Sequence, residues 1–205
     1  MEIFRIIQDT LRCRELFRKL RRTPYARSEF ESAFLPYDAP VINAQRAIIR
    51  AYLSFHHGAL FNLKKTAFSN AKHRHGSGNK AHEWYTYPRV LAQVCERFRN
   101  VIIENQDALH VIQVQDMCDT LFFVDPPYMP STRYKSTGHR CELDEGQHVE
   151  LLDLLLFVKG RVMISGYPSN LYDRMLKGWR RATLKFHAAA GGQSTRTEVL
   201  WISPR

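Results

Sequence analysis

Residues 121–128 read Leu-Phe-Phe-Val-Asp-Pro-Pro-Tyr, and this octapeptide decides the fold class. Leu121 to Val124 are apolar without polar alternation, the pattern expected of a strand buried on both faces of a parallel sheet. Asp125 ends the run. Pro126 and Pro127 then fix φ and donate no backbone hydrogen, so the corner accepts hydrogen bonds and scarcely donates them. In open α/β sheets a ligand sits just beyond the carboxyl ends of the strands, where Asp125 and Tyr128 are delivered. The ligand that suits such a corner is an amine donor carrying a flat ring.

The chemistry of an exocyclic amino group on a nucleobase matches these parts. Its lone pair is delocalised into the ring, which makes it a poor nucleophile. The Asp125 carboxylate and the Pro126 carbonyl, each accepting one amino hydrogen, would draw the nitrogen toward sp3 geometry and localise that pair. Pro127 would keep the corner rigid, and Tyr128 would stack on the base and hold it in line with an electrophile. A base in a duplex must first leave the stack, a cost that the pocket repays. The alternative for the same residues is an Asp-Pro-Pro turn after an ordinary core strand.

Away from this corner, the 205 residues suffice for one domain with a core. A formal net charge of +10 points to a polyanionic partner. Cys13, Cys95, Cys118 and Cys141 contain no CxxC pair and are read as buried or idle thiols, not as a disulfide or zinc framework. No signal peptide is expected, because Glu2 and Arg5 fall in the first turn without a long apolar run, and no membrane span is expected, because the run at 151–158 is short and interrupted by Asp153. A cytoplasmic location without a membrane partner follows as the expectation.

Apolar spacing at Ile3, Ile6, Ile7, Leu11, Leu16, Phe17 and Leu20 predicts one helix over residues 2–22, ended at Thr23-Pro24. Its charges Arg12, Arg14, Arg18, Lys19, Arg21 and Arg22 suit either a solvated face or DNA contact. Further helices are expected over 43–55 and 84–98, then a strand at 101–104, a short helix from Asp107 and the strand at 121–124. Asp144 opens a helix to Val158 with Gly160 as its cap, a strand follows at 161–164, and Ser169 caps another helix. Strands at 181–186 and 198–202 close the unit as a hairpin across the Ala-Ala-Ala-Gly-Gly link at 188–192.

Residues 56–82 form a basic, His-rich loop with Lys64, Lys65, Lys72 and Arg74, suited to phosphates and base edges, with a solvent loop as the alternative. A zinc site from His73 and His75 lacks a companion cysteine or carboxylate cluster. In the loop 129–141, Arg133, Lys135 and Arg140 would clamp a DNA backbone; a plain mobile lid is the competing reading.

The Asp125-Pro126-Pro127-Tyr128 tetrapeptide is the catalytic signature of S-adenosylmethionine-dependent amino-methyltransferases. Its surroundings resemble the Dam-type (D12 class) DNA adenine-N6 methyltransferases common in phages and prophages. The resemblance extends to 100–107, to His139-Arg140 with Glu142-Leu143, to 148–152, to Ser165-Gly166-Tyr167 with 171–173, and to 196–201. It implies a class I, Rossmann-like α/β fold with sheet order 3-2-1-4-5-7-6, and a single methyltransferase domain over 1–205 with 56–82 as a target-recognition-like insertion. Asp107 and Ala108, with Asp125, would contact S-adenosylmethionine.

The family's lysine-bearing start, its Phe-x-Gly-Gly cofactor loop and its ribose-binding acid have no counterpart here, and the first glycine is Gly58. The fold is therefore expected to be missing its first two strands. The expected function is methyl transfer to adenine N6 in double-stranded DNA, with base flipping and with the missing cradle supplied by a separate polypeptide or an upstream start. The alternative is a truncated, non-catalytic remnant that at most binds nucleic acid. Methylation of an amino group on RNA or protein is a third, weaker reading. Restriction-modification, phage self-protection and regulation all remain open as uses.

Overall fold

The computed structural model describes residues 2–35, 37–54, 67–69, 79–132, 142–187 and 195–204. The chain divides into two compact units, 1–105 and 106–205.

The first unit is helical: α1 (Glu2–Gln8), α2 (Thr10–Arg22), α3 (Arg27–Ser32), α4 (Pro40–Leu53) and α5 (Lys80–Phe98). The single helix expected over 2–22 is broken at Asp9, whose carboxylate accepts from the amides of Leu11 (2.9 Å) and Arg12 (3.0 Å) and so caps α2. Helix α4 starts three residues before the expected boundary because Pro40 occupies its first position, where the missing N–H costs nothing. Helix α5 begins inside the segment read as a basic loop; the remainder of that loop, apart from 67–69 and Asn79, lies outside the described residues. Leu16, Leu20, Phe30, Leu53 and Trp84 form the core, and Trp84 Nε1 donates to Thr23 O at 2.7 Å, tying α5 to the end of α2.

Two expectations fail in this unit. Cys13 and Cys95 are joined in a disulfide although 82 positions separate them. Packing of α2 beside α5 brings their Cα atoms to 6.7 Å, a proximity that spacing along the chain does not encode. The segment 101–104, expected as a strand, is irregular and has no strand partner among the described residues. Its Ile102 is 81% exposed, so the β-branched run has no sheet to enter. Gln8 Nε2 instead donates to the carbonyls of Phe98 and Val101.

The second unit is α/β: α6 (Ala108–Val114), β1 (Leu121–Val124), a 3-10 turn (Pro130–Thr132), α7 (Glu145–Phe157), β2 (Arg161–Gly166), α8 (Asn170–Met175), β3 (Arg180–His187) and β4 (Thr195–Ile202). The sheet order is β1-β2-β4-β3, with β1 and β2 parallel and the other two pairs antiparallel. Register places Phe122, Val124, Val162, Ile164, Val199 and Trp201 on one face, in one core with Leu151, Leu152 and Leu155 of α7 and Leu171 and Tyr172 of α8.

On the opposite face, among the described residues, Leu121 is 59%, Phe123 64% and Leu184 65% exposed. The expectation that β1 is buried on both faces is thus wrong. It is an edge strand whose covering helices lie on one side, and four apolar residues in a row do not report which side is covered. Among the described residues, no helix is long and apolar enough to cross a membrane.

Asp144 caps α7 through a capping box with Gln147, as expected. Gly160 has a different role from the expected helix cap. A Cβ there would meet Thr120 O at 2.8 Å and Phe122 Cε2 at 2.9 Å, so glycine is demanded by close approach to the turn entering β1. Asp116 secures the same corner by accepting from the amides of Lys159 (2.8 Å) and Gly160 (3.0 Å).

Gly160→Ala is expected to destabilise the α/β unit by about 1–3 kcal/mol through overpacking, read as a lower urea midpoint. Reduction of Cys13–Cys95, or Cys13→Ser, is expected to remove about 2–4 kcal/mol by releasing the closed loop, read as a lower melting temperature.

Candidate active site

Parallel pairing of Val124 with Ile164 brings the carboxyl ends of β1 and β2 level, so the next residues, Asp125 and Ser165, stand side by side. Ser165 Oγ donates to Asp125 Oδ1 at 2.7 Å and lies 3.4 Å from Val124 O. Asp125 is exposed and Pro126 buried, so the carboxylate is presented to solvent from a fixed base. Tyr128 is half-buried, its ring edge-on to Tyr167 at 4.7 Å between centroids and 77° between planes.

The Tyr128 hydroxyl is held above its ordinary pKa, chiefly by burial and further by the negative charge of Asp125 and Glu198; a hydrogen bond with Ser165 acts the other way. The phenol is therefore neutral at ordinary pH. Asp125, Ser165, Tyr128 and Tyr167 make one cluster, in which an accepting carboxylate and an aromatic face stand at the same strand ends.

The chain leaving Tyr128 is pinned. Met129 is buried, its carbonyl accepts from Thr132 Oγ1 at 2.8 Å, and its sulfur lies 3.2 Å from Ser169 Oγ. Ser169 sits at the start of α8 as expected, but its hydroxyl is spent on Met129 and makes no side-chain cap. Beneath the cluster, buried His148 bonds through Nδ1 to the Tyr172 hydroxyl at 2.9 Å, and Tyr172 packs on Trp201. Trp201 Nε1 donates to Asp173, which also pairs with Arg181 at 3.1 Å. Burial drives the Tyr172 pKa strongly upward, so its phenol stays protonated within this hydrogen-bonded column.

Asp107 and Ala108 open α6, where Asp107 Oδ1 accepts from the His110 amide at 3.1 Å. The expected DNA contacts Lys64, Lys65, Lys72, Arg74, Arg133, Lys135 and Arg140, and the histidines His73 and His75, lie outside the described residues. Among the described residues, no group of three metal-ligating side chains occurs. Sequence reasoning gave no role to Ser165, Tyr167 or Glu198. The available signal was their position: polar and aromatic residues at the end of the strand after the Asp-Pro-Pro-Tyr strand, or beside it in the hairpin.

Residues 1–183 match the model of the D12 class N6 adenine-specific DNA methyltransferases. The chain belongs to that family. The family's enzymes use S-adenosylmethionine to methylate adenine N6 in DNA, so this methyltransferase has DNA as its substrate class and belongs among enzymes. No curated protein matches the methyltransferase closely. Its strand β4, between β2 and β3 in the sheet, lies beyond the matched residues, yet Glu198 on it contributes to the field at Tyr128.

Ser165→Ala, which removes the hydrogen bond that lowers the Tyr128 pKa, is expected to move that phenol further up. A residue-resolved NMR titration from pH 9 upward checks this, and an unchanged Tyr128 transition would show that the two hydroxyls do not meet.

Proposed function

We propose that the chain carries the acceptor half of a class I, Rossmann-like adenine-N6 DNA methyltransferase and works as one methyltransferase domain over residues 1–205. The observation that carries this reading is the Asp125–Ser165–Tyr128 cluster at the carboxyl ends of a parallel strand pair. Sheet order supports it: β1-β2-β4-β3 follows the family order 4-5-7-6, including the antiparallel hairpin at one edge.

In this reading the target adenine leaves the duplex and its ring lies on Tyr128, whose orientation Tyr167 sets. Asp125 and the Pro126 carbonyl accept the two amino hydrogens and localise the nitrogen lone pair toward the methyl donor. Ser165 holds one carboxylate oxygen, so Asp125 meets the amine in a single rotamer and loses less freedom on binding. Pro127 stiffens the turn between them.

The described residues fit the amino acceptor and do not by themselves form a cradle for S-adenosylmethionine. Asp107, with Ala108 the contact to the adenosine by resemblance, already spends Oδ1 on capping α6. The cradle is then supplied by residues outside the described ones or by a separate polypeptide. A non-catalytic remnant that binds nucleic acid is the second reading, favoured by the exposed Leu121 and Phe123 on edge strand β1.

Asp125→Ala is expected to abolish methyl transfer to duplex DNA while leaving duplex affinity nearly unchanged, measured by radiolabel incorporation beside fluorescence anisotropy. Retained turnover in the variant sinks the assignment. Titration calorimetry with S-adenosylmethionine decides between the two readings, because micromolar binding by the wild type is incompatible with a remnant that has lost its cofactor.

A further inference from the structure

The charge of this protein is concentrated in one unit. Residues 1–105 contain 18 Lys and Arg against 9 Asp and Glu, whereas residues 106–205 contain 12 against 11. The helical unit therefore holds +9 of the +10 net charge, and the unit with the Asp125 cluster is nearly neutral.

Helix α2 carries the densest part of that charge. Cys13, Leu16 and Leu20 form its buried face. At 100° per residue, Arg14, Arg18, Arg21 and Arg22 fall within an arc of about 100° on the opposite side, along about 12 Å of axis. All four are exposed. The acids near them are engaged elsewhere: Asp9 with Arg12 at 3.8 Å and Glu15 with Lys19 at 3.7 Å. The four arginines make no ion pair among the described residues.

The fold gains little from this arrangement. Arginines at i and i+4, as in Arg14/Arg18 and Arg18/Arg22, repel one another. The helix dipole rewards only the last turn, which covers Arg21 and Arg22 but not Arg14 or Arg18. Guanidinium forks on one exposed face match a row of phosphates, and binding a polyanion turns the mutual repulsion into attraction.

We infer that the α2 arginine ladder, Arg14, Arg18, Arg21 and Arg22, is a contact surface for the phosphate backbone of a DNA duplex. Contacts of this kind position the duplex without reading its sequence, and the release of counterions makes them salt-dependent. The inference rests on the adenine-methyltransferase reading for the choice of DNA over other polyanions. It adds a surface to the loops 56–82 and 129–141 that the sequence singled out.

The test is anisotropy of a labelled 20-base-pair duplex, roughly two helical turns, with the whole chain at about 50 to 200 mM salt. Replacing all four arginines by alanine should make the slope of log affinity against log salt shallower by about 3 to 4. Over that fourfold range of salt, the wild type should then weaken about a hundredfold more than the variant. Alanine is a strong helix former, so α2 should persist, with unchanged circular dichroism as the check. The four-lysine variant at the same positions should keep the wild-type slope.

A charge-matched control in the other unit, Lys159→Ala with Arg161→Ala, Arg174→Ala and Lys177→Ala, should also keep the slope. The inference is overturned by an unchanged slope in the alanine variant, by an equal loss in the control, or by a wild type that binds no duplex. Tighter binding of an RNA duplex of equal length would overturn the assigned partner. Turnover by the wild type with an unaltered slope would remove the ladder and leave the catalytic reading standing. A lost slope without turnover would do the reverse.

Discussion

Parallel pairing of β1 with β2 is the constraint on which the rest of the site depends. Two strands running the same way end at the same edge, so Val124 opposite Ile164 makes Asp125 and Ser165 neighbours across 40 positions of sequence. An antiparallel pair would have sent the two residues to opposite ends of the sheet. The register is held from below, where Gly160 admits Thr120 O and Phe122 at distances no side chain would permit, and Asp116 ties down the adjoining amides. A shift of one residue would turn Val162 and Ile164 to the opposite face and separate the hydroxyl from the carboxylate.

The core beneath the strand ends preserves this geometry through a continuous chain of hydrogen bonds and ring contacts. His148, Tyr172, Trp201 and Asp173 are linked by hydrogen bonds and ring contacts, and burial keeps the Tyr172 phenol protonated. The two proline rings and the pinned Met129 carry that rigidity into the corner itself. Asp125, the exposed member of the proposed acceptor pair, is a carboxylate, which water solvates well.

The excess of positive charge and the Asp125 corner belong to different units of the chain. A carboxylate that must accept from an amine works best where surrounding cations do not compete for it, and the α/β unit is almost balanced in charge. The helical unit concentrates cations on a helix whose other face is fully committed to the core and to the Cys13–Cys95 link. Backbone contacts to a duplex are long-range and tolerant of position, so a solvated helix face suffices for them, whereas the acceptor corner needs ångström placement.

Much of the architecture is legible in local sequence. Helical periodicity, the Asp144 capping box, the Asp-Pro-Pro-Tyr corner and the closing hairpin all depend on residues within a few positions of one another. Their physics (side-chain spacing, fixed φ, capping hydrogen bonds) is complete within a short window. The break at Asp9 is not among them, because the apolar spacing of residues 3–20 continues through it and does not show that its carboxylate caps α2. Tertiary structure alone decided that Cys13 meets Cys95, that 101–104 finds no sheet among the described residues, that Leu121 and Phe123 of β1 are exposed among them, and that Ser165 serves Asp125. Each of those depends on which distant segment packs alongside, and hydrophobicity states that a residue should be covered without naming what covers it.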